Sequence, residues 1–500
     1  MSLFASRPLR PFEEGHVLVI GDAIADVAHY GSVRALDQTA SVPVMQTART
    51  QIHGGGAVNC ALNVLALGAP VRLMCQLGDD ANGRALYTQL NLCDWRLQID
   101  LPRFNRRTPT TERYYDQYGR LFTRTRSWWQ INRPPETYTA ERLARGPRPR
   151  VIVVSDYGKG WFTARSLDAV FQYGAQHDVP VIVDPFPAHT TMYTPGDCVT
   201  IMTPNEDEAA QMGALVDPTV AQQAIMRLAP YYKNTVIITR GRHGMLITRR
   251  DGSFTHYPVP QCPIADTNGA GDSVVASLAV ETYLDNTRSL EQMLPSVVAA
   301  AEVAVTHCGA YPVPLHEQFA VFARRHTACR VVDLETAAHI ARVAARAERQ
   351  VGVANGVFDL LHVGHLALLE RAAQCCHVLI ALVNSDASVA RLKPGRPIIP
   401  AEQRCALLAA LEAVDMVVTF DESTPVAAIK RLRPQYLFKG PEFADNIDAV
   451  PGAAFVRSTG GVARALDGPN ISTTTIIERA CKWREAHNNA RDGGSDNEKR

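Results

Sequence analysis

Between Ala265 and Ser273 the chain reads ADTNGAGDS, with Gly269, Ala270 and Gly271 standing directly in front of Asp272. A backbone with so little side chain can bring its N–H groups close to a ligand. The apolar run that follows reads as a helix, whose N-terminus adds partial positive charge. Together these features make a hole for the charge that develops on a phosphoryl group in transfer. Asp272 stands where a carboxylate could take the proton of an attacking hydroxyl. The same run also fits a plain glycine turn with Asp272 capping a helix.

A second bare stretch, NGVFDLLHVGH, spans Asn355 to His365 and follows a strand-like run. His362 and His365 are spaced to face the same way on the first turn of a helix, and Gly364 clears room between them. Two imidazoles and a helix N-terminus can hold a triphosphate and donate to its α-phosphate as negative charge builds. Metal binding is the rival use, but the pair lacks a third ligand.

Other residue types gather around these two stretches. GGAVN places Gly55, Gly56 and Asn59 at a helix start, suited to close contact with sugar hydroxyls. GDDANG sets Asp80 and Gly83 in a G-x-D-x-x-G spacing, and TPNEDEA supplies Asn205 and Glu208 after a strand, apt for magnesium held through water. TRGRHG, carrying Thr239, Arg240, Gly241 and Gly244, is a candidate nucleotide loop. Around the histidines, candidates are Asn355, Gly356, Phe358, Asp359, Asn384, Lys393, Arg404, Lys439 and the helix-start run Ser472, Thr473 and Thr474. Lysines are few, so Lys159, Lys393 and Lys439 stand out; for Arg404 a solvated basic face is the plain alternative.

The elements that must position these groups are those of an α/β protein. HVLVIGD, VRLMCQLGDD, RVIVVSDYGKG, VPVIVDP, TVIITRG and GMLITRRDG read as strands, several ending in Asp or Gly at the edge where a parallel sheet presents ligand groups. Helices are expected at Ala57–Leu67 and Asp272–Tyr283. RYYDQYGRLFTRTRSWW alternates aromatic and polar residues and reads as a β flap or lid. Prolines and a basic stretch break the order near 325–332. A helix at Leu334–Arg349 and a fresh strand, QVGVANGVFD, follow, then HVLIALVNSD, MVVTF and YLFKG. The expected organisation is therefore 1–325, 333–483 and a polar, disordered tail at 484–500.

Composition narrows the class. A net charge of +1 supplies no field for nucleic acid or an anionic membrane. No apolar run approaches the roughly 18 residues that span a bilayer. The N-terminus lacks a signal peptide's apolar centre. Eleven scattered cysteines fit reduced thiols, so a cytoplasmic protein is expected.

Taken in order, GDAIAD, GGAVN, TPNEDEA and GAGDS resemble the ribokinase-like (PfkB) carbohydrate kinases over residues 15–315. The later set resembles the H-x-G-H nucleotidyltransferases of cytidylyltransferase type over residues 350–480. The first resemblance implies an α/β sandwich with a β lid, the second a smaller Rossmann-like domain. It implies Asp272 as catalytic base, Gly269–Gly271 as anion hole, and Asn205 with Glu208 as the Mg2+ motif. Asp22, Asp26 and Asn59 would hold sugar hydroxyls; for Asp26 a capping or solvated carboxylate is an equal alternative. Lys159 and Asp184 join the substrate side. In the second half a sugar phosphate oxygen would attack the nucleotide α-phosphate directly, with pyrophosphate leaving. The two halves in this order resemble the bifunctional heptose-7-phosphate kinase and heptose-1-phosphate adenylyltransferase family, whose partners are a sugar phosphate and ATP. Lids of this kind pair two chains, which implies a homodimer. One departure concerns the sugar end: the family usually has lysine after VPVIVDP, and Phe186 stands here.

Overall fold

The computed structural model describes residues 15–36, 43–93, 95–102, 107–127, 137–193, 199–216, 228, 234–326, 330–346, 349–469, 471 and 473–492. It divides into two units, Met1–Gln318 and Phe319–Arg500, a little before the expected linker. Gln318 explains the difference. Its buried amide donates to Ser277 Oγ (3.1 Å) and to the Ser296 carbonyl (2.9 Å), so the helix Leu315–His326 starts as part of the first unit.

The first unit is built on a nine-stranded sheet. Edge to edge its strands are Phe254–Tyr257, Met245–Thr248, Thr235–Thr239, Val199–Met202, Val181–Asp184, Val151–Ser155, Val17–Gly21, Val71–Cys75 and Leu97–Asp100. Met245–Thr248 pairs antiparallel with both its neighbours and the remaining pairs are parallel. Strands such as VLVIG and VIVVS are buried along their whole length, which is why they read as unbroken apolar runs. Val17–Gly21 pairs with Val71–Cys75 on one side and Val151–Ser155 on the other. Connections therefore leave it in opposite directions and open a crevice at its carboxyl end.

A separate four-stranded sheet, in the order Pro43–Gly56, Ala23–Leu36, Thr110–Tyr115 and Leu121–Ser127, forms the lid. Its last two strands are those expected of the aromatic and arginine alternation. The long antiparallel pair Ala23–Leu36 and Pro43–Gly56 was not legible, because Ala23, Ala25, Val27 and Ala28 are buried at its inner end while polar residues dominate the rest.

At the far edge of the main sheet the Asp100 carboxylate, 1% exposed, accepts from Arg72 (2.5 Å), Arg142 (2.7 Å) and the Tyr138 hydroxyl (2.9 Å). This network fastens the helix Tyr138–Arg145 to the sheet.

The second unit holds a five-stranded parallel sheet in the order Met416–Phe420, Val378–Asn384, Val351–Gly356, Tyr436–Lys439 and Val462–Ala465. The strand that comes first in the chain is central, so a switch point lies between Val351–Gly356 and Tyr436–Lys439. Its core gathers Leu369, Leu379, Val383, Leu408, Val417 and Phe438. The last helix, Thr473–Asp492, runs on through part of the segment expected to be disordered. Extending a formed helix is far cheaper than starting one, and WREAH contains good helix formers. Residues 493–500 lie outside the described residues. Among those described, no helix is long and apolar enough to cross a membrane, and the cysteines are free thiols.

Removing one member of a buried, fully engaged ion cluster strands the others. Asp100→Ala is expected to lower the stability of the first unit by about 3–5 kcal/mol, read as an earlier midpoint in urea unfolding.

Candidate active sites

The crevice of the first unit opens into a cavity of about 400 Å³. Asp156, Asp184, Asn205, Glu208, Thr239, Gly269, Gly271 and Asp272 line it from the main sheet and its loops. Asp26, Gly55, Gly56, Thr111, Arg113 and Arg126 line it from the lid strands. Lys159 and Phe186 are also in the wall. Most of the residues singled out in the sequence therefore meet in one place.

Asp272 lies in the first turn of the helix Ala270–Leu284 and is 5% exposed. Its carboxylate accepts from Asn59 Nδ2 (2.7 Å) and from the Tyr157 hydroxyl (2.8 Å). Burial pushes its pKa up to about 6, against the pull of those two donors. Gly269 holds φ +78°, a conformation that favours glycine, and a Cβ there would lie 2.7 Å from Asn59 Nδ2. A Cβ at Gly271 would meet nothing within 4 Å. The loop thus presents bare backbone to open cavity beside a fixed carboxylate. Asp272 does not cap the helix: Gly269 stands at the N-cap position and Asp272 is the third residue of the helix.

Two residues expected on the sugar do other work. Asp22 is fully buried and is absent from the cavity wall. Its oxygens accept the backbone N–H groups of Tyr157 (3.0 Å), Lys159 (2.9 Å) and Trp161 (3.0 Å), which fixes the loop after Val151–Ser155. Burial, then the charge of Asp156, raises its pKa to about 6. Asn59 is likewise fully buried and spends its amide on Asp272. Asp26 does face the cavity, but Arg113 Nε contacts both its oxygens (2.9 and 3.1 Å). Gly56 has φ +58°, and a Cβ there would sit 2.5 Å from the Asp22 carbonyl, so lid and loop approach closely.

On the opposite wall Asn205 and Glu208 cap the helix Glu206–Val216 reciprocally, each backbone N–H donating to the other's side chain at 2.9 Å. Asn205 bridges to Thr239 on the next strand. Burial, then the charges of Glu208 and Asp272, holds the Asp184 carboxyl well above its usual range. Arg240 donates to Glu206 (2.9 Å), and Gly241 and Gly244 shape the tight turn that follows, outside the cavity wall. Asp80 and Gly83 prove structural. Asp80 caps the helix Ala81–Leu92 through Gly83 N–H (2.8 Å) and also accepts from Thr108.

In the second unit the His362 and His365 rings stack at 3.8 Å with 20° between planes, at the start of the helix Val363–Cys375. Burial lowers both, His365 to about 4, which favours the neutral imidazoles. A Cβ at Gly364 would press on Pro469 O (3.0 Å) and on the His362 ring (3.1 Å). Lys439 ends the neighbouring strand and donates to the Asn355 carbonyl (2.9 Å); burial takes it down to about 8. His362 Nδ1 and Asn355 Oδ1 are buried with no hydrogen-bond partner among the described residues, as expected of groups waiting for a ligand. Phe358 adopts φ +50°, strained for a side-chain-bearing residue, between Gly356 and the histidines.

Three candidates here act as scaffolding. Asp359 accepts from Ile398 N–H (2.7 Å), Ile399 N–H (2.9 Å) and Arg396. Arg404, 1% exposed rather than solvated, donates to the Ile399 and Val357 carbonyls and to Asp386. Asn384 is buried and donates to Ser388 Oγ (3.0 Å). Lys393 is exposed at the end of the helix Asp386–Leu392; Thr473 and Thr474 open the last helix; Ser472 lies outside the described residues.

The family model for pfkB family carbohydrate kinases matches residues 152–317, and that for cytidylyltransferase-like proteins matches residues 353–479. The bifunctional protein HldE of Nitrobacter hamburgensis is 34% identical, over 93% of this chain and 96% of its own. That of Pseudomonas savastanoi pv. phaseolicola is 33% identical over 94% and 98%. The chain belongs to the HldE family. It is a bifunctional enzyme, a carbohydrate kinase followed by a nucleotidyltransferase. Escherichia coli phosphofructokinase-2, at 17% identity and TM-score 0.51, shares the fold of 62% of this chain and 99% of its own.

Within the HldE frame two wall residues stand out. Tyr157, quoted in SDYGKG but given no role by sequence, holds the carboxylate of Asp272; only its place after a strand ending in Ser-Asp hinted at it. Phe186 brings no charge to the sugar end, yet Lys159 Nζ lies 6.0 Å from its ring centre, and Arg113 and Arg126 stand in the same wall.

With Asp272 as the proposed base, which must be ionised to take a proton, kinase rate should fall as pH drops through about 6. Tyr157→Phe removes a donor that favours the ionised form. The acidic limb of kcat/KM should move to higher pH, which a pH–rate profile of ADP release would show.

Proposed function

We propose that the first unit transfers the terminal phosphoryl group of ATP to the anomeric hydroxyl of D-glycero-β-D-manno-heptose 7-phosphate. The second unit transfers AMP from ATP to the heptose 1-phosphate, giving ADP-heptose and pyrophosphate. The observation that carries this reading is the pairing, on one chain, of a doubly held buried base beside bare amides with a neutral histidine pair at a helix start.

In the kinase step Asp272 takes the hydroxyl proton while the Gly269–Gly271 amides and the helix N-terminus stabilise the transferring group. Thr239 in the wall, with the turn Arg240, Gly241 and Gly244 just beyond it, would form the nucleotide side. Gly55, Gly56 and Asp26 shape the sugar side, with Lys159 and the lid residue Arg126 toward its phosphate. Mg2+ would screen the phosphate charge. Among the described residues no three His, Cys, Asp or Glu converge as direct ligands, so Asn205, Glu208 and Asp184 suit a cation held through water.

In the second step His362 and His365 donate to the α-phosphate, and Lys439 and Lys393 steady the leaving pyrophosphate. Asn355, Gly356 and Phe358 approach the nucleotide through backbone and amide. Attack is direct, so positioning supplies the rate. The composition and thiols suit the cytoplasm. The lid exposes Leu121 and Phe122, where a second copy would pair.

Two substitutions separate the steps. Asp272→Asn should lower ADP release from heptose 7-phosphate by about 10²–10⁴ and leave pyrophosphate release from heptose 1-phosphate unchanged; His365→Ala should do the reverse. Loss of both activities in either folded variant contradicts the assignment. A panel of sugar phosphates and nucleoside triphosphates tests the substrate: heptose 7-phosphate and ATP are expected to give the highest kcat/KM.

A further inference from the structure

The lid does more than cover the cavity: one of its strands grips the loop that carries the anion hole. Arg113, on Thr110–Tyr115, donates through Nε to both oxygens of Asp26 (2.9 and 3.1 Å) and through Nη2 to Asn268 Oδ1 (2.7 Å). Asn268 Nδ2 in turn donates to Asp26 Oδ2. The three side chains close a ring of hydrogen bonds, and each comes from a different segment. Asp26 belongs to the lid strand Ala23–Leu36, and Asn268 is the residue immediately before Gly269.

The next residue on the same face of the lid strand repeats the grip. The Tyr115 hydroxyl donates to Asp266 Oδ2 (3.2 Å), and that carboxylate also accepts Asn268 N–H (3.0 Å) and Gly309 N–H (3.0 Å). Asp266 and Asn268 are thus both tied to the lid, and the next residue, Gly269, sets the left-handed turn from which the helix Ala270–Leu284 starts. The Arg113 and Asp26 side chains are 12% and 8% exposed, so water competes weakly for these bonds.

The geometry points to Arg113 and Asn268 as a latch: positioning residues through which the seated lid fixes the amides of the anion hole. This rests on the kinase reading of the cavity. It assigns Arg113 a task distinct from binding sugar, since its donors are turned to Asp26 and Asn268. Orientation of a few amides acts on the transition state more than on bound substrate, so the loss belongs in kcat.

The test uses the full-length enzyme and ADP release from ATP and heptose 7-phosphate. Arg113→Ala and Asn268→Ala should each lower kcat about 10²-fold, with both KM values within about threefold of wild type. The double variant should be no slower than the slower single variant by more than about threefold, because the two act as one unit. Millimolar guanidinium should restore part of the kcat of Arg113→Ala. A raised sugar KM with kcat intact, or losses that multiply, overturns the latch while leaving the kinase reading standing. Wild type without ADP release overturns the kinase reading and the latch with it. If Arg113→Ala does not fold, Asn268→Ala, which removes no core contact, decides by the same split of kcat and KM.

Discussion

The first unit depends on keeping one buried carboxylate ionisable. Burial favours the protonated form of Asp272, which cannot take a proton. Asn59 and Tyr157 offset part of that cost, and each must be held in turn. Asn59 is fixed by the buried helix Ala57–Ala66. Tyr157 is fixed because Asp22 gathers three backbone N–H groups of its loop. Asp156 adds a further anchor, accepting from Gly158 N–H, from Tyr193 Oη and from His189. The acidic row at the carboxyl edge of the sheet is therefore divided. Asp22 and Asp156 hold loops, while Asp272, doubly held, faces the cavity as the proposed base.

The second unit handles the same charge without a buried anion. Its histidines are stacked and neutral, so each ring can offer an N–H without bringing a buried cation that would need its own counter-charge. Lys439 supplies the positive charge from the neighbouring strand, across the switch point. Arg404 and Asp359 hold the surrounding loops by accepting or donating to backbone, a task that keeps them away from ligand. Both units place their reactive groups where connections diverge from a central parallel strand, since only there does a sheet edge open into a crevice.

Much of the architecture could be read from the chain because buried parallel strands are apolar on both faces and short. VLVIG, VIVVS and VLIALVN announce themselves. The lid pair Ala23–Leu36 and Pro43–Gly56 could not be read, since small buried residues at its inner end, Ala23, Ala25 and Ala28, are mixed with polar ones and mark no clear apolar period. Asp272, Gly269–Gly271, His362 and His365 were legible because local spacing is the chemistry: a bare loop before a helix, or two rings on one turn. Tyr157 was not, since its role exists only once a loop 115 residues earlier in the chain folds against Asp272.

The sequence by itself determined the two phosphate-handling motifs, their order, and the α/β class that carries them. These follow from local backbone freedom, helix starts and apolar periodicity. The tertiary structure decided which polar residues touch a ligand and which hold the wall. Asp22 and Asp26 differ by four positions and look alike in sequence, yet one is sealed under a loop and the other faces the cavity. That choice comes from long-range packing, where a few ångströms of approach determine whether a carboxylate meets backbone amides, a lid arginine or substrate.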